Sequence, residues 1–228
     1  MVACELKMRL SRVWIIVVSM AALCVCALGQ NTPSKDAQII EAKGMPARAT
    51  PGDYPAHAQA GAVTIGAEFM GHSIPRPEGP LSTEDYVVIE TGFFGAAGAR
   101  ITLSTSDFSL RINGKKTALP SQPYGLVFSS LKDPQWVSPD EAESKKSKSG
   151  LSTGGQGDSG PPPPVHVPIE LQRAMAQYVQ KAALPEGDRP LPQGGLIFFQ
   201  YRGKTQNIRS LELTYAGPAG KAKFALQP

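Results

Sequence analysis

Leu196-Ile197-Phe198-Phe199-Gln200-Tyr201 reads as a strand that is apolar on both faces. Such a segment belongs in the middle of a sheet, covered on both sides. The residues after it are patterned differently. Between Ile208 and Tyr215, the side chains of Leu211, Leu213 and Tyr215 share one face. Gly217-Pro218-Ala219-Gly220 makes a turn, and Lys221 to Leu226 returns with Phe224 and Leu226 inward. Period two with one apolar face defines half-buried strands. Phe198 and Leu213 are therefore expected in the core, on adjacent strands, with Gln200 and Glu212 on solvated faces.

Upstream of this stretch, Pro168 to Leu184 predicts a helix. Leu171, Met175, Tyr178 and Ala182 recur at three- and four-residue spacing, which places them on one face. Pro168 fits the first turn, where its missing N–H is harmless, and Pro185 stops the helix. Further strands are expected at 62–69, at 87–93 and at 108–112. Asn113-Gly114 follows the last of these at once. Both residues tolerate the positive φ that a tight hairpin turn requires. Tyr124 to Ser130 reads as another strand, with Tyr124, Leu126 and Phe128 on one face.

Residues 30–60 carry Pro33, Pro46, Pro51 and Pro55 and no sustained period, so they predict a flexible N-terminal segment. Residues 138–166 contain an acidic run, Lys145, Lys146 and Lys148, a Gly/Ser tract and Pro161 to Pro164. Little there can bury apolar area against the entropy of ordering. A disordered loop interrupting the domain is expected. Short strands separated by turns predict a mainly β fold, an antiparallel sandwich over residues 61–228 with one inserted helix at 168–184.

The order Asp85-Tyr86-Val87-Val88-Ile89-Glu90, Asp107-Phe108-Ser109-Leu110-Arg111, Gly195 to Phe199 and Leu211-Glu212-Leu213 resembles the immunoglobulin-like sandwich domains of exported bacterial proteins of unknown function. The resemblance covers residues 60–228. It implies a fold and an envelope or secreted location, and it carries no catalytic residues.

The N-terminus predicts the same compartment. Lys7, Arg9 and Arg12 precede an apolar run from Val13 to Leu28, and Ala27-Leu28-Gly29 ends in small residues. That is the layout of a signal peptide over 1–29, with Met8 an alternative start. An uncleaved anchor would need roughly 20 apolar residues, more than this run supplies. A lipid-anchored cysteine would need a small residue before it, whereas Cys24 follows Leu23 and Cys26 follows Val25. All three cysteines (Cys4, Cys24 and Cys26) lie within this leader. The exported chain would therefore have no thiol chemistry. Its net charge would fall from +4 to +2, because the leader holds three basic residues and one acidic. The basic balance is then a weak argument for nucleic acid, and no nucleic-acid partner is expected.

Several motifs invite sharper functions. Gly157-Asp158-Ser159-Gly160 resembles the nucleophile motif of chymotrypsin-type proteases, with His57 and Asp107 in the right order before it. A triad needs rigid backbone around the serine, and Ser159 lies between a Gly/Ser tract and four prolines. His57, His72 and His166 have no shared ligand spacing, and Asp133, Asp140, Glu141 and Glu143 lack that of a calcium loop. Accordingly no catalytic, cofactor or metal residue is expected, and no cofactor. Lys145, Lys146 and Lys148 are balanced by neighbouring acids. Phe93, Phe94, Phe198, Phe199 and Tyr201 could stack on sugar rings if exposed in a row, although strand patterning places most of them in the core.

These readings predict an exported, periplasmic or extracellular, non-enzymatic interaction or structural module of the cell envelope. The partner would be an envelope protein or glycan. The alternative is a glycan- or small-ligand-binding module, ahead of a hydrolase.

Overall fold

A computed structural model describes residues 42–136 and 167–228. The leader at 1–29, the loop at 138–166, Ser159 and the polyproline run lie outside these residues. The architecture is mainly β and antiparallel. Eight strands form one sheet in the order β1 (Ala56–Ala60), β2 (Val63–Gly71), β5 (Tyr86–Phe94), β11 (Gln193–Gln200), β8 (Leu119–Gln122), β7 (Phe108–Ile112), β12 (Leu211–Gly217) and β13 (Gly220–Leu226). The sheet curls until β1 and β13 approach each other, with Gly61 packed against the Ala219 carbonyl. It is one nearly closed sheet, where the strand spacing alone suggested two separate ones. Two smaller pieces complete it. One is a ribbon of β6 (Arg100–Leu103) and β10 (Gly187–Pro190). The other is a three-stranded sheet of β3 (Ser73–Ile74), β4 (Leu81–Thr83) and β9 (Leu131–Lys132).

Two cores follow from the alternation of side chains along the central strands. Ile65, Ile89, Leu110, Ile197, Phe199, Leu213 and Phe224 fill the inside of the curled sheet. Phe93 packs edge-to-face on Phe108 and on Tyr215, both at 6.0 Å between centroids. Val88, Leu196 and Phe198 point the other way, onto helix α1 (Ile169–Ala182) through Met175 and Val179. The expectation for 196–201 thus holds: β11 is buried on both faces. Leu171 and Tyr178 rim the second core, half-buried, as the helical spacing predicted.

Four expectations are corrected. Residues 30–60 are not structureless throughout, because β1 occupies Ala56–Ala60 and Tyr54 is buried. Alanines at 56, 58 and 60 alternate with His57 and Gln59, but alanine is a weak strand former, which hid the period. Tyr124 to Ser130 is not a strand. It folds as two 3-10 turns, Tyr124–Leu126 and Phe128–Ser130, after Pro123. Val127 is buried and Leu126 is 52% exposed, the reverse of the alternation expected. Phe198 and Leu213 are both buried but not on adjacent strands, since β8 and β7 lie between β11 and β12. Finally, the Asn113-Gly114 turn forms, with both φ positive and Lys115 N–H on the Ile112 carbonyl. The ladder beyond it resumes only at Leu110 with Leu119, which leaves extra residues on the return side and opens a loop.

A row of glycines shapes the outer face. Gly66 of β2, Gly92 of β5 and Gly194 of β11 are direct cross-strand partners. None of the three has a side chain of its own, so together they form a trench. The segment before β1 lies in this trench. The Tyr54 ring covers Gly66 and Gly92 so closely that a Cβ on either would collide with it. Beside the trench Glu68 and Glu90 face each other across β2 and β5. Arg48 lies between them. Its Nε donates to Glu90 Oε1 at 3.1 Å, and its second guanidinium nitrogen donates to Glu90 Oε2 at 2.9 Å and to Glu68. The guanidinium also sits 4.6 Å from the Tyr54 ring centre.

Candidate functional site

The loop between β7 and β8 carries Lys115 and Lys116, and the loop between β11 and β12 carries Arg202, Lys204 and Arg209. All five side chains are exposed. Asn113 clasps the two loops together. Its side-chain amide donates to Asn207 O at 2.9 Å, and its Oδ1 accepts from the N–H groups of Arg209 (2.7 Å) and Ser210 (3.2 Å). Its own N–H donates to Ser210 O at 2.9 Å. Asn113 has φ 52°, in the left-handed region that asparagine tolerates better than most residues. The clasp and the tight turn are therefore one feature of the sequence.

Arg202 pairs with Asp85 at 2.9 Å. Among the described residues Lys115, Lys116, Lys204 and Arg209 have no carboxylate within ion-pairing distance. One end of the curled sheet thus presents a rim of concentrated positive charge. Long-range fields of this kind attract anions and raise association rates.

A pocket of about 380 Å³ opens at this rim. Its polar wall is formed by Lys115, Thr117, Gln200, Tyr201 and Arg202. Ile112 and Leu119 supply an apolar floor. The Tyr201 side is fixed by a bulge two strands away. β2 gains one extra residue between Phe69 and Gly71, where Gly71 has φ 63°. Bulges re-aim the chain that follows them. Here His72 comes to lie with Nδ1 2.8 Å from Tyr86 O and Nε2 2.8 Å from Gly203 O. Both partners only accept, so a doubly protonated ring satisfies both and a neutral ring one. The ring also stacks on Tyr201, with 6.2 Å between centroids. Gly203 has no room for a side chain, because a Cβ would meet the Tyr201 ring at 2.5 Å.

The opposite end of the sheet differs in charge. Asp107 lies beside Gly217 and Tyr215, and burial, with Glu186 adding to it, pushes its carboxyl above the ordinary aspartate range. Burial likewise raises the Tyr215 hydroxyl. Glu186 accepts from the N–H and hydroxyl of Thr105 at 2.9 and 2.7 Å. Among the described residues no hydrogen bond or ion pair joins Asp107 to His57, which is exposed on β1. The third member of the protease-like motif, Ser159, lies outside the described residues. No group of three or more His, Cys, Asp or Glu is arranged to hold a metal ion among the described residues. No helix among them is long and apolar enough to cross a membrane.

The aromatic row does not form. Phe93, Phe198 and Phe199 are buried, while Phe94, at the end of β5, and Tyr201, just after β11, are half-buried. Sequence reasoning missed the basic rim. Its signals were Asn-Gly followed by Lys-Lys, and the cluster Arg202, Lys204 and Arg209. They lie roughly ninety positions apart, and only the antiparallel pairing of β7 with β12 brings them together.

The chain matches no protein-family model, no curated protein and no solved structure.

Proposed function

We propose that this protein is an exported, non-enzymatic binding module of the cell envelope, and that the basic rim is its working surface for an anionic partner. The observation that carries this reading is the Asn113 clasp. It holds two cation-bearing loops at one end of a curled sheet whose interior is filled by side chains. Loops on a rigid β scaffold are where binding residues concentrate. The partner is an envelope glycan or an acidic protein surface. The immunoglobulin-like reading enters as a view of the curl as flattened, with β1, β2, β5 and β11 facing β8, β7, β12 and β13. The contacts of Phe93 with Phe108 and Tyr215 across the core support that view.

The rim is tested by charge reversal. A variant carrying Lys116→Glu, Lys204→Glu and Arg209→Glu should bind an anionic resin or polyanion at least about tenfold more weakly than the parent at low salt, and the difference should shrink as salt rises. Equal, salt-insensitive binding by both proteins would sink the reading. Export is tested separately by N-terminal sequencing of the mature protein. The expected first residue is Gln30 or a near neighbour. A retained Met1 or Met8 would refute cleavage.

A further inference from the structure

We propose that the pocket at the basic rim takes a carboxylate-bearing sugar unit of an acidic polysaccharide. The inference rests on the rim being the working surface and adds the class of ligand. Three observations lead to it.

The first is size. A space of about 380 Å³ lies at the small end of ligand pockets, which run from about 300 to 1,000 Å³. It suits one sugar ring and part of a neighbour, and it exceeds what a lone inorganic ion needs.

The second is the mixture of groups. Lys115 supplies positive charge for a carboxylate, while Arg202 lines the same wall with its guanidinium paired to Asp85. Thr117 and Tyr201 offer hydroxyls and Gln200 an amide, each able to donate and accept. A sugar hydroxyl needs both roles from its surroundings, and a bare anion needs only donors. Ile112 and Leu119 give the C–H face of a ring an apolar surface to rest on.

The third is the charge outside the pocket. Lys116, Lys204 and Arg209 extend the positive surface along the two loops, beyond the lining residues. They are not among the residues that line the pocket, and a chain with a charge on every unit can face them while one unit fills it. A lipid surface is disfavoured by the same geometry. The exposed large apolar side chains among the described residues are Leu126 and Ile169, which lie on the helix and the 3-10 turn that contacts it. They offer no apolar anchor at the rim.

The test uses the full exported chain and four probes: an oligogalacturonate, a neutral maltooligosaccharide of equal length, inorganic phosphate and a single-stranded oligonucleotide. Titration calorimetry at about 0.15 M ionic strength measures binding. The oligogalacturonate should bind, and the neutral sugar and phosphate should bind at least about tenfold more weakly, the loss of one charge-assisted contact or more. Thr117→Val and Lys115→Gln, both at exposed positions, should each weaken oligogalacturonate binding by about three- to tenfold. Amide signals of Thr117, Gln200 and Tyr201 should shift on titration, which requires no variant. Preference for the oligonucleotide, equal binding of phosphate, or unmoved pocket signals would overturn the assignment. If the pocket variants bind normally while the triple rim reversal does not, the pocket fails and the rim stands. If no anionic probe binds, the rim reading itself has failed.

Discussion

Replacing Phe198 by alanine should lower the free energy of unfolding by about 3–5 kcal/mol, the cost of deleting a large buried aromatic and leaving a cavity. Phe198, on β11, is 1% exposed and packed in the cluster of Val88, Leu196, Met175 and Val179. Domains of this size are stable by about 5–15 kcal/mol, so the variant could be partly unfolded at room temperature. Gln200 is two residues along the strand, at its exposed end, and its replacement by alanine should change stability by less than about 0.5 kcal/mol. Leu213→Ala should cost about 2–5 kcal/mol from the other core, inside the curl. The two cores predict a further result. Phe198 and Leu213 belong to separate clusters with two strands between theirs. The double variant should therefore lose the sum of the single losses to within about 0.5 kcal/mol. Strong coupling in denaturant melts would instead place the two side chains in one core. A mild Phe198→Ala with a severe Gln200→Ala would mean that the register of β11 is shifted by one residue.

What could be read from sequence was whatever alternates strongly or turns tightly. The segments at 87–93, 108–112 and 221–226 fall within observed strands, those at 62–69 and 196–201 overrun theirs by one residue, and 168–184 contains the helix. Each bears large apolar residues at a clear period. The Gly217–Gly220 turn also closes as expected, with Gly217 opposite Gly220. The misses have particular causes. Tyr124 to Ser130 mimics a strand because alternate large residues occur by chance across two short turns. β1 is written in alanines, β3, β4 and β9 are two or three residues long, β6 is only four long, and β10 carries no large apolar residue. The curl of the sheet depends on pairings between residues far apart, such as Phe198 with Gln122 and Tyr215 with Phe108. No local pattern encodes these. The candidate site was least legible of all. Lys115 and Lys116 look like an ordinary solvated turn until Asn113 joins them to Arg209, and His72 looks idle until the bulge in β2 carries it to Tyr201.

The same reasoning makes Arg48 the most consequential charged residue described. Arg48→Ala should destabilise the protein by about 3 kcal/mol, the low end of the range for breaking a buried ion pair. The low end applies because the Arg48 and Glu68 side chains each keep 30% exposure, while that of Glu90 keeps 10%. The loss comes from what remains behind. Glu68 and Glu90 are direct cross-strand partners, and like charges in that position repel. The hydrogen bonds that Arg48 donates to Glu90 hold it strongly in its charged form, with Glu68 adding to them despite partial burial. The guanidinium is therefore a fixed bridge between β2, β5 and the segment that crosses the glycine trench. Its removal should also loosen Tyr54, whose hydroxyl accepts from the Arg48 N–H at 3.2 Å and whose ring depends on Gly66 and Gly92 staying bare. Hydrogen exchange should then rise in residues 44–54 ahead of any change at the helix. A compensating triple change, Arg48→Met with Glu68→Gln and Glu90→Gln, should recover much of the lost stability, because it removes the stranded charges together with their partner. If Arg48→Ala melts within about 0.5 kcal/mol of the parent, as surface substitutions do, the bridge contributes nothing and the segment is held by Tyr54 and by its other contacts, such as Ala42 in the second core and Gln193 on Lys43 O.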